Sequence, residues 1–190
     1  MIRKRIEFAQ KYSSKTKDFW DRVVYADEAY IEINPGAIMN RVRRFSSTNP
    51  YASSVTKKSL KYPTKIMIWG CFNARGFGRI KVCEGSMTSQ KYLEVLNSHL
   101  KPTIQDLGIQ NAIYLDDSAR PHRTKPIKEW MQSEGIESIE WPGNSPDLNP
   151  IENLWAILKS KLRKQAIPSK RELIEKIIQT WFNSIDPSIL

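Results

Sequence analysis

The chain has 190 residues, 40% of them hydrophobic and 6 of them Trp, with 30 Lys and Arg against 20 Asp and Glu. That is enough length and apolar content for one good core, which argues against disorder, and the net charge of +10 points to a polyanionic partner, nucleic acid or an anionic membrane surface. No apolar run approaches a membrane span and the basic start "MIRKRIEFAQKY" lacks the apolar stretch of a signal peptide, while two cysteines without a CxxC and two histidines speak against zinc and leave carboxylates, hence Mg²⁺ or Mn²⁺, for any divalent metal.

In chain order, residues 2–12 read as a short basic helix. "RVVYADEAYIEI" (22–33) is rich in Val, Ile and Tyr, which predicts a strand, a bend near Asp27 and Glu28, and more strand. Residues 34–63 are polar and basic, punctuated by Pro35, Gly36, Pro50 and Pro63; they read as an extended loop with one strand near residues 41–45. "KIMIWGCF" (65–72) is continuously apolar, as in a strand buried on both faces. "ARGFG" turns it, and "RIKVCEG" (79–85) alternates like the second strand of a hairpin.

Residues 88–100 have helical periodicity through Tyr92, Leu93, Leu96 and Leu100, with Thr88 or Ser89 as cap. "AIYLDD" (112–117) is the next strand. Pro121 opens a helix through Trp130 and Met131 that stops at Gly135. Residues 136–141 form a strand and 142–149 a turn-rich loop. Asn149 and Pro150 start a helix lined by Ile151, Leu154, Trp155, Leu158 and Leu162. "SKRE" (169–172) is a capping box for a last helix that buries Leu173, Ile177, Ile178 and Trp181. Three hairpin-joined strands followed by alternating helix and strand predict an α/β chain, a mixed sheet with helices on both faces, in an order compatible with a ribonuclease-H-like fold.

Three acids fall at element ends: Asp27 closing the first strand, Asp116 or Asp117 closing the fourth, and Glu152 in the first turn of a helix. Such ends can converge on one sheet edge. Clustered carboxylates resist full ionisation; a pair of Mg²⁺ ions reverses that and can drive an in-line attack on phosphate. Each acid also has a plain reading. Glu152 can complete a capping box with Asn149, Asp116 and Asp117 can be a turn pair, and Asp27 with Glu28 can mark a strand end. His122 at a helix start reads as a satisfied polar residue, and Trp69, Trp130, Trp141, Trp155 and Trp181 as core. Lys159, Lys161, Arg163 and Lys164 are either the solvated face of a helix or a phosphate-contacting ridge, and Arg41, Arg43 and Arg44 in the long loop carry the same two readings.

"WPGNSPDLNPIENLW" (141–155) closely resembles the signature of transposases of the mariner superfamily, on its Tc-like branch. "VVYADEAY" resembles that family's first-aspartate strand, "KIMIWGCFNARGFGRI" its tryptophan-glycine strand and hairpin, and "YLDDSARPH" its second-aspartate motif. The match runs from about residue 3 to about 182. Carried over by position, the triad is Asp27, Asp117 and Glu152, as catalytic residues and metal ligands. The motif places its aspartate five residues before the histidine, and the 34 residues between Asp117 and Glu152 suit the Tc-like spacing. Both counts select Asp117 over Asp116, and alternation then predicts that Asp116 faces away from the metal site.

The resemblance implies a Mg²⁺- or Mn²⁺-dependent DDE catalytic domain with two ions. It implies cleavage at transposon ends, attack of the freed 3′-hydroxyl on target DNA at TA, a homodimer on DNA, no membrane, and work in the nucleus of a eukaryotic host. It divides the chain into a linker-like helix (1–20) and a catalytic domain (21–190) that carries the basic loop 34–63, lacks the family's end-reading helix-turn-helix modules and stops short of its final helical segment. Ser118 stands where the family has Asn, and Asp116 where it has Gln or a similar residue. The alternatives are a catalytically idle, transposon-derived fragment that binds DNA or other subunits, and a structure-specific nuclease on the same fold.

Overall fold

A computed structural model describes residues 2–32 and 65–189, apart from 166 and 168. The basic loop, with its expected strand and Arg41, Arg43 and Arg44, lies outside the described residues. Five strands form one mixed sheet in the order β3-β2-β1-β4-β5: β1 Val23–Glu32, β2 Lys65–Asn73, β3 Gly76–Cys83, β4 Ile113–Leu115 and β5 Glu137–Ser138. β1, β2 and β3 are antiparallel neighbours, while β4 and β5 join in parallel. This is the ribonuclease-H-like arrangement that the strand order predicts.

The expected bend at Asp27 and Glu28 is absent. β2 pairs with β1 at every position from Tyr25 opposite Phe72 to Glu32 opposite Lys65, which keeps β1 straight through both acids. Asp27 therefore sits in mid-strand instead of closing it. On the other flank β4 pairs only with Val23, Val24 and Tyr25, so from Ala26 onward that side of β1 is open to another element.

Strand alternation sends apolar residues to both faces. Ala29, Ile31, Ile66 and Ile68 meet α6 (Ile151–Arg163) and α7 (Lys170–Asn183) through Leu154, Trp155, Leu158, Ile177 and Trp181. Val24, Ala26, Trp69 and Cys71 meet Tyr92, Leu96 and Leu100, and Ile127 and Met131 of α5 (Lys125–Ser133). At the parallel end, Val23, Ile113, Leu115 and Ile139 pack under Tyr12 and Phe8 of α1 (Ile2–Tyr12) and Phe19 and Trp20 of the unexpected short helix α2 (Lys17–Trp20). Helices thus cover both faces.

Several boundaries move. The helix expected over 88–100 starts as α3 (Ser89–Val95), capped by Thr88, and runs on through a π turn (Leu96–Leu100) into α4 (Lys101–Asp106). Pro102 lacks an N–H, and the wider turn before it takes up the change of register. β5 shrinks to two residues, as β4, its only partner among the described residues, has three. Before α5, Arg120–Arg123 form a 3₁₀ turn. Ile178 is 42% exposed, a correction to the predicted buried stripe: Ile177 takes the sheet-facing position and the next residue points about 100° away.

Candidate active site

β1 presents Asp27 on the face covered by α6. Trp155 of that helix donates its indole Nε1–H to Asp27 Oδ2 at 3.2 Å. The ring fits because the residue opposite Asp27 on β2 is Gly70. A Cβ on Gly70 would stand 2.7 Å from Trp155 Cη2. Gly70→Ala is expected to displace the indole from Asp27 and to cost about 1–3 kcal/mol through overpacking. Thermal denaturation checks this; an unchanged midpoint would contradict the packing.

The start of α6 is held to the open flank of β1. Buried Asn149 donates from Nδ2 to the Ala26 carbonyl at 3.4 Å, and its Oδ1 accepts from Ile151 N–H at 3.4 Å. The Asn149 N–H donates to Pro146 O at 2.9 Å, so Glu152 does not close the capping box that its spacing allows. Ser169 and Glu172 at the start of α7 do form the predicted cap, with Glu172 N–H donating to Ser169 Oγ at 3.2 Å. Glu152 is left exposed in the first turn of α6, near enough to raise the pKa of Asp27. Burial, then the charge of Glu28, then that of Glu152 push Asp27 up to about 7 against the hydrogen bonds that it accepts.

Past the end of β4 the two neighbouring aspartates part. The Asp116 side chain is 5% exposed and that of Asp117 51%. Asp116 turns under α3, where Oδ2 accepts from Tyr92 Oη–H at 2.9 Å and Oδ1 from Arg123 at 2.8 Å and Ser118 N–H at 2.9 Å. Tyr92 Oη also lies 2.8 Å from Tyr114 Oη. Asp117 Oδ1 accepts from Ala119 N–H at 2.9 Å, so both acids also serve as turn residues. Arg123 further bonds Ser118 Oγ, bracing a residue with φ +60° that turns the chain just after Asp117.

His122 is buried between these groups, its ring stacked on Tyr92 at 3.8 Å. Nδ1 stands 3.1 Å from Asp117 Oδ1 and 3.5 Å from Asp116 Oδ2, and Nε2 stands 3.5 Å from Glu28 Oε1. Nδ1 and Glu28 Oε1 lack hydrogen-bond geometry, so charge holds this group together. Burial alone would lower the histidine; its contacts with Asp117 and Glu28 win and push it up to about 10. The contact with His122 in turn lowers Asp117, outweighing the opposing burial, with Ala119 N–H adding to it.

Tyr92→Phe is expected to cost about 1–3 kcal/mol, because buried Asp116 and Tyr114 each lose a partner. The measurement is chemical denaturation at neutral pH. Glu28, Tyr92 and Arg123 are the members of this site that the sequence did not single out. Tyr92 carried only the signal of a helix stripe, and Arg123 lay next to His122 without a stated partner.

Among the described residues, one donor atom each from Asp116, Asp117 and His122 lies within 4.8 Å of the others. No other group of three possible ligands is drawn together to that distance, and Asp27, Asp117 and Glu152 are not. Mutual repulsion acts against bare carboxylates closing on one another. Of the candidate phosphate contacts, Lys159, Lys161 and Arg163 lie on α6 and Lys164 caps it. Among the described residues none of these four pairs with a carboxylate. No described helix is long and apolar enough to cross a membrane.

Comparison with known proteins agrees with the fold. The Tcb1 transposase of Caenorhabditis briggsae is 25% identical over 179 residues, 93% of this chain and 65% of that protein. The Mos1 mariner paired end complex with Mn superposes with a TM-score of 0.77 at 21% identity, over 97% of this chain and 54% of that one. The Mos1 Strand Transfer Complex gives 0.73 at 22%, over 97% and 53%. The chain thus spans about two thirds of the first relative's length and about half of the Mos1 chains. Residues 22–174 match the family described as DDE superfamily endonuclease. The chain belongs to that DDE superfamily endonuclease family, as a domain of the mariner/Tc1 type.

Proposed function

We propose that the chain is the catalytic domain of a transposase that cuts DNA at transposon ends and joins the freed 3′-hydroxyl to target DNA, using Mg²⁺ or Mn²⁺ held by Asp27, Asp117 and Glu152. The observation that carries this reading is Asp27. A carboxyl is kept in the middle of the central strand, with burial and the charges of Glu28 and Glu152 all opposing its ionisation. A divalent cation turns that opposition into binding, and carboxylate oxygens are the donors that Mg²⁺ and Mn²⁺ prefer.

The chain's own residues divide the work. Trp155 fixes one Asp27 oxygen. The contact with His122 keeps Asp117 in its ionised form, and the Arg123 brace sets the turn that carries it. Glu152, exposed and with no side-chain bond among the described residues, has the freedom to close on the other two. Two ions bound there would supply activation of water or of the 3′-hydroxyl and charge neutralisation at the leaving oxygen. Supporting this reading, the matched Mos1 chain forms a paired end complex with Mn and a strand transfer complex. From the motif resemblance we further propose that this chain works as a homodimer on DNA, joins ends at TA and, in a eukaryotic host, acts in the nucleus. In this reading residues 1–20 are the linker-like segment, whose helices α1 and α2 pack on the sheet, and 21–190 the catalytic unit.

The test is strand cleavage and transfer on transposon-end DNA with Mn²⁺ or Mg²⁺, by this chain and by a version fused to end-binding modules. Metal-dependent breaks that chelator suppresses are expected. DNA binding without any cleavage in either form would favour the idle fragment.

A further inference from the structure

Asp27 and Glu28 are neighbours on a straight strand, so their side chains leave it on opposite faces. Asp27 meets α6. Glu28 goes to the face of Val24, Ala26 and the covering Tyr92, where its side chain is 15% exposed and its Oε1 is buried without a hydrogen-bond partner. A buried carboxylate oxygen in that state costs stability, and an apolar residue would suit the packing better. Its use lies in what it faces.

The His122 ring stands between Glu28 and Asp117. Its Nε2 lies 3.5 Å from Glu28 Oε1 and its Nδ1 3.1 Å from Asp117 Oδ1. Each ring nitrogen thus answers to one carboxylate, and the partner of one sets what the other can do. Tyr92 stacks on the ring with 12° between the planes, which resists tilting but leaves the ring free to slide in its own plane. Glu28 supplies the stop in that plane. The backbone offers no substitute, because the ladder between β1 and β4 ends at Tyr25 and Leu115, two residues short of Asp27 and of Asp117. Beyond it, among the described residues, the polar side-chain contact from β1 to the turn of Asp117 is that of Glu28 with His122.

Resting on the metal reading above, we propose that Glu28 is a positioning residue: acting through His122, it fixes the reach of Asp117 from β1, and so the spacing at which Asp27 and Asp117 meet a divalent cation.

The experiment compares wild type with Glu28→Gln, Glu28→Asp and Glu28→Ala. Gln keeps the reach and an acceptor oxygen for Nε2, whereas Asp keeps the charge but is one methylene, about 1.5 Å, shorter. Mn²⁺ binding is followed by electron paramagnetic resonance of the free ion, cleavage by the Mn²⁺ concentration that gives half the maximal rate, and folding by the thermal midpoint in chelator. Ala and Asp are expected to bind Mn²⁺ about tenfold more weakly, the scale usual for losing a residue that orients a ligand, and Gln to recover most of that loss. The midpoint in chelator should be unchanged or higher in Ala. The reverse order, with Asp near wild type and Gln as weak as Ala, would show that Glu28 acts by charge alone and overturn the positioning. So would an unchanged Mn²⁺ affinity in Ala, or a midpoint in Ala lowered by several degrees, which would make Glu28 a structural support. A wild type that binds no Mn²⁺ would instead overturn the metal reading, and the role of Glu28 with it.

Discussion

Asp117→Asn is expected to abolish metal-dependent DNA cleavage, by at least about a thousandfold, equivalent to roughly 4 kcal/mol of lost barrier stabilisation. The amide keeps the turn bond to Ala119 N–H and fills the same space, so the fold should survive. It removes the charge that a divalent cation needs. Glu152→Gln should behave alike, since Glu152 has no structural bond among the described residues to lose. The informative contrast is Asp116→Asn. That change weakens the Arg123 and Tyr92 contacts, so it should lower the thermal midpoint while leaving cleavage measurable below the melting range. Gel assays of strand breaks with Mn²⁺, alongside melting curves, separate the two outcomes. Full activity in Asp117→Asn, or a dead but stable Asp116→Asn, would reverse the assignment.

Asp27→Asn should make the metal-free protein more stable at and above neutral pH while removing its response to metal. Burial, Glu28 and Glu152 raise the folded-state pKa of Asp27 to about 7 from an ordinary 3.8. A value raised on folding gives stability that is fully present below the ordinary value. That stability is lost as pH rises through about 7. Wild type should therefore weaken between about pH 4 and pH 8 in chelator, and Asp27→Asn should not. The full shift converts to about 4 kcal/mol at ~1.36 kcal/mol per unit. Loss of a charged acceptor for Trp155 trims the gain from the substitution to roughly 2 kcal/mol, or about 4–8 °C in Tm for a chain of this size. Millimolar Mg²⁺ or Mn²⁺ should raise the wild-type Tm by mass action and leave the variant's unmoved. A variant no more stable than wild type at pH 8 would show that Asp27 is not the strained acid of this site.

The sequence carried much of this, and what it missed has identifiable causes. The apolar run of β2 and the Ser169 cap are local signals and fold as read. The choice of Asp117 over Asp116 came from counting along the chain. Alternation predicts Asp116 on the opposite side, but β4 ends at Leu115, and Asp116, though buried beneath Tyr92, keeps a carboxylate oxygen within 4.8 Å of donor atoms of Asp117 and His122. Tyr92 is 24 residues upstream, and no local pattern links the two. The bend foreseen at Asp27 and Glu28 failed because two adjacent acids look like a strand end, whereas continuous pairing with β2 holds them in line. Glu152 and Asn149 have capping-box spacing, yet Pro146 O takes the backbone donor first. Nor does any local pattern in the apolar run of β2 show that Trp155 lies against Gly70.

The contacts that shape the candidate site join the far ends of the chain. Asp27 and Trp155 are 128 residues apart, Ala26 and Asn149 are 123 apart, and Arg5 grips Asp147 across 142. Closing such separations costs chain entropy before any contact returns it, which places them late in folding. A polypeptide emerging from the ribosome exposes Asp27 early, in a strand without its covering helix. Assembly of the acids must wait until α6 has been made. The order of synthesis itself thus keeps an unfinished chain from presenting Asp27 and Glu152, two acids of the proposed metal site, together.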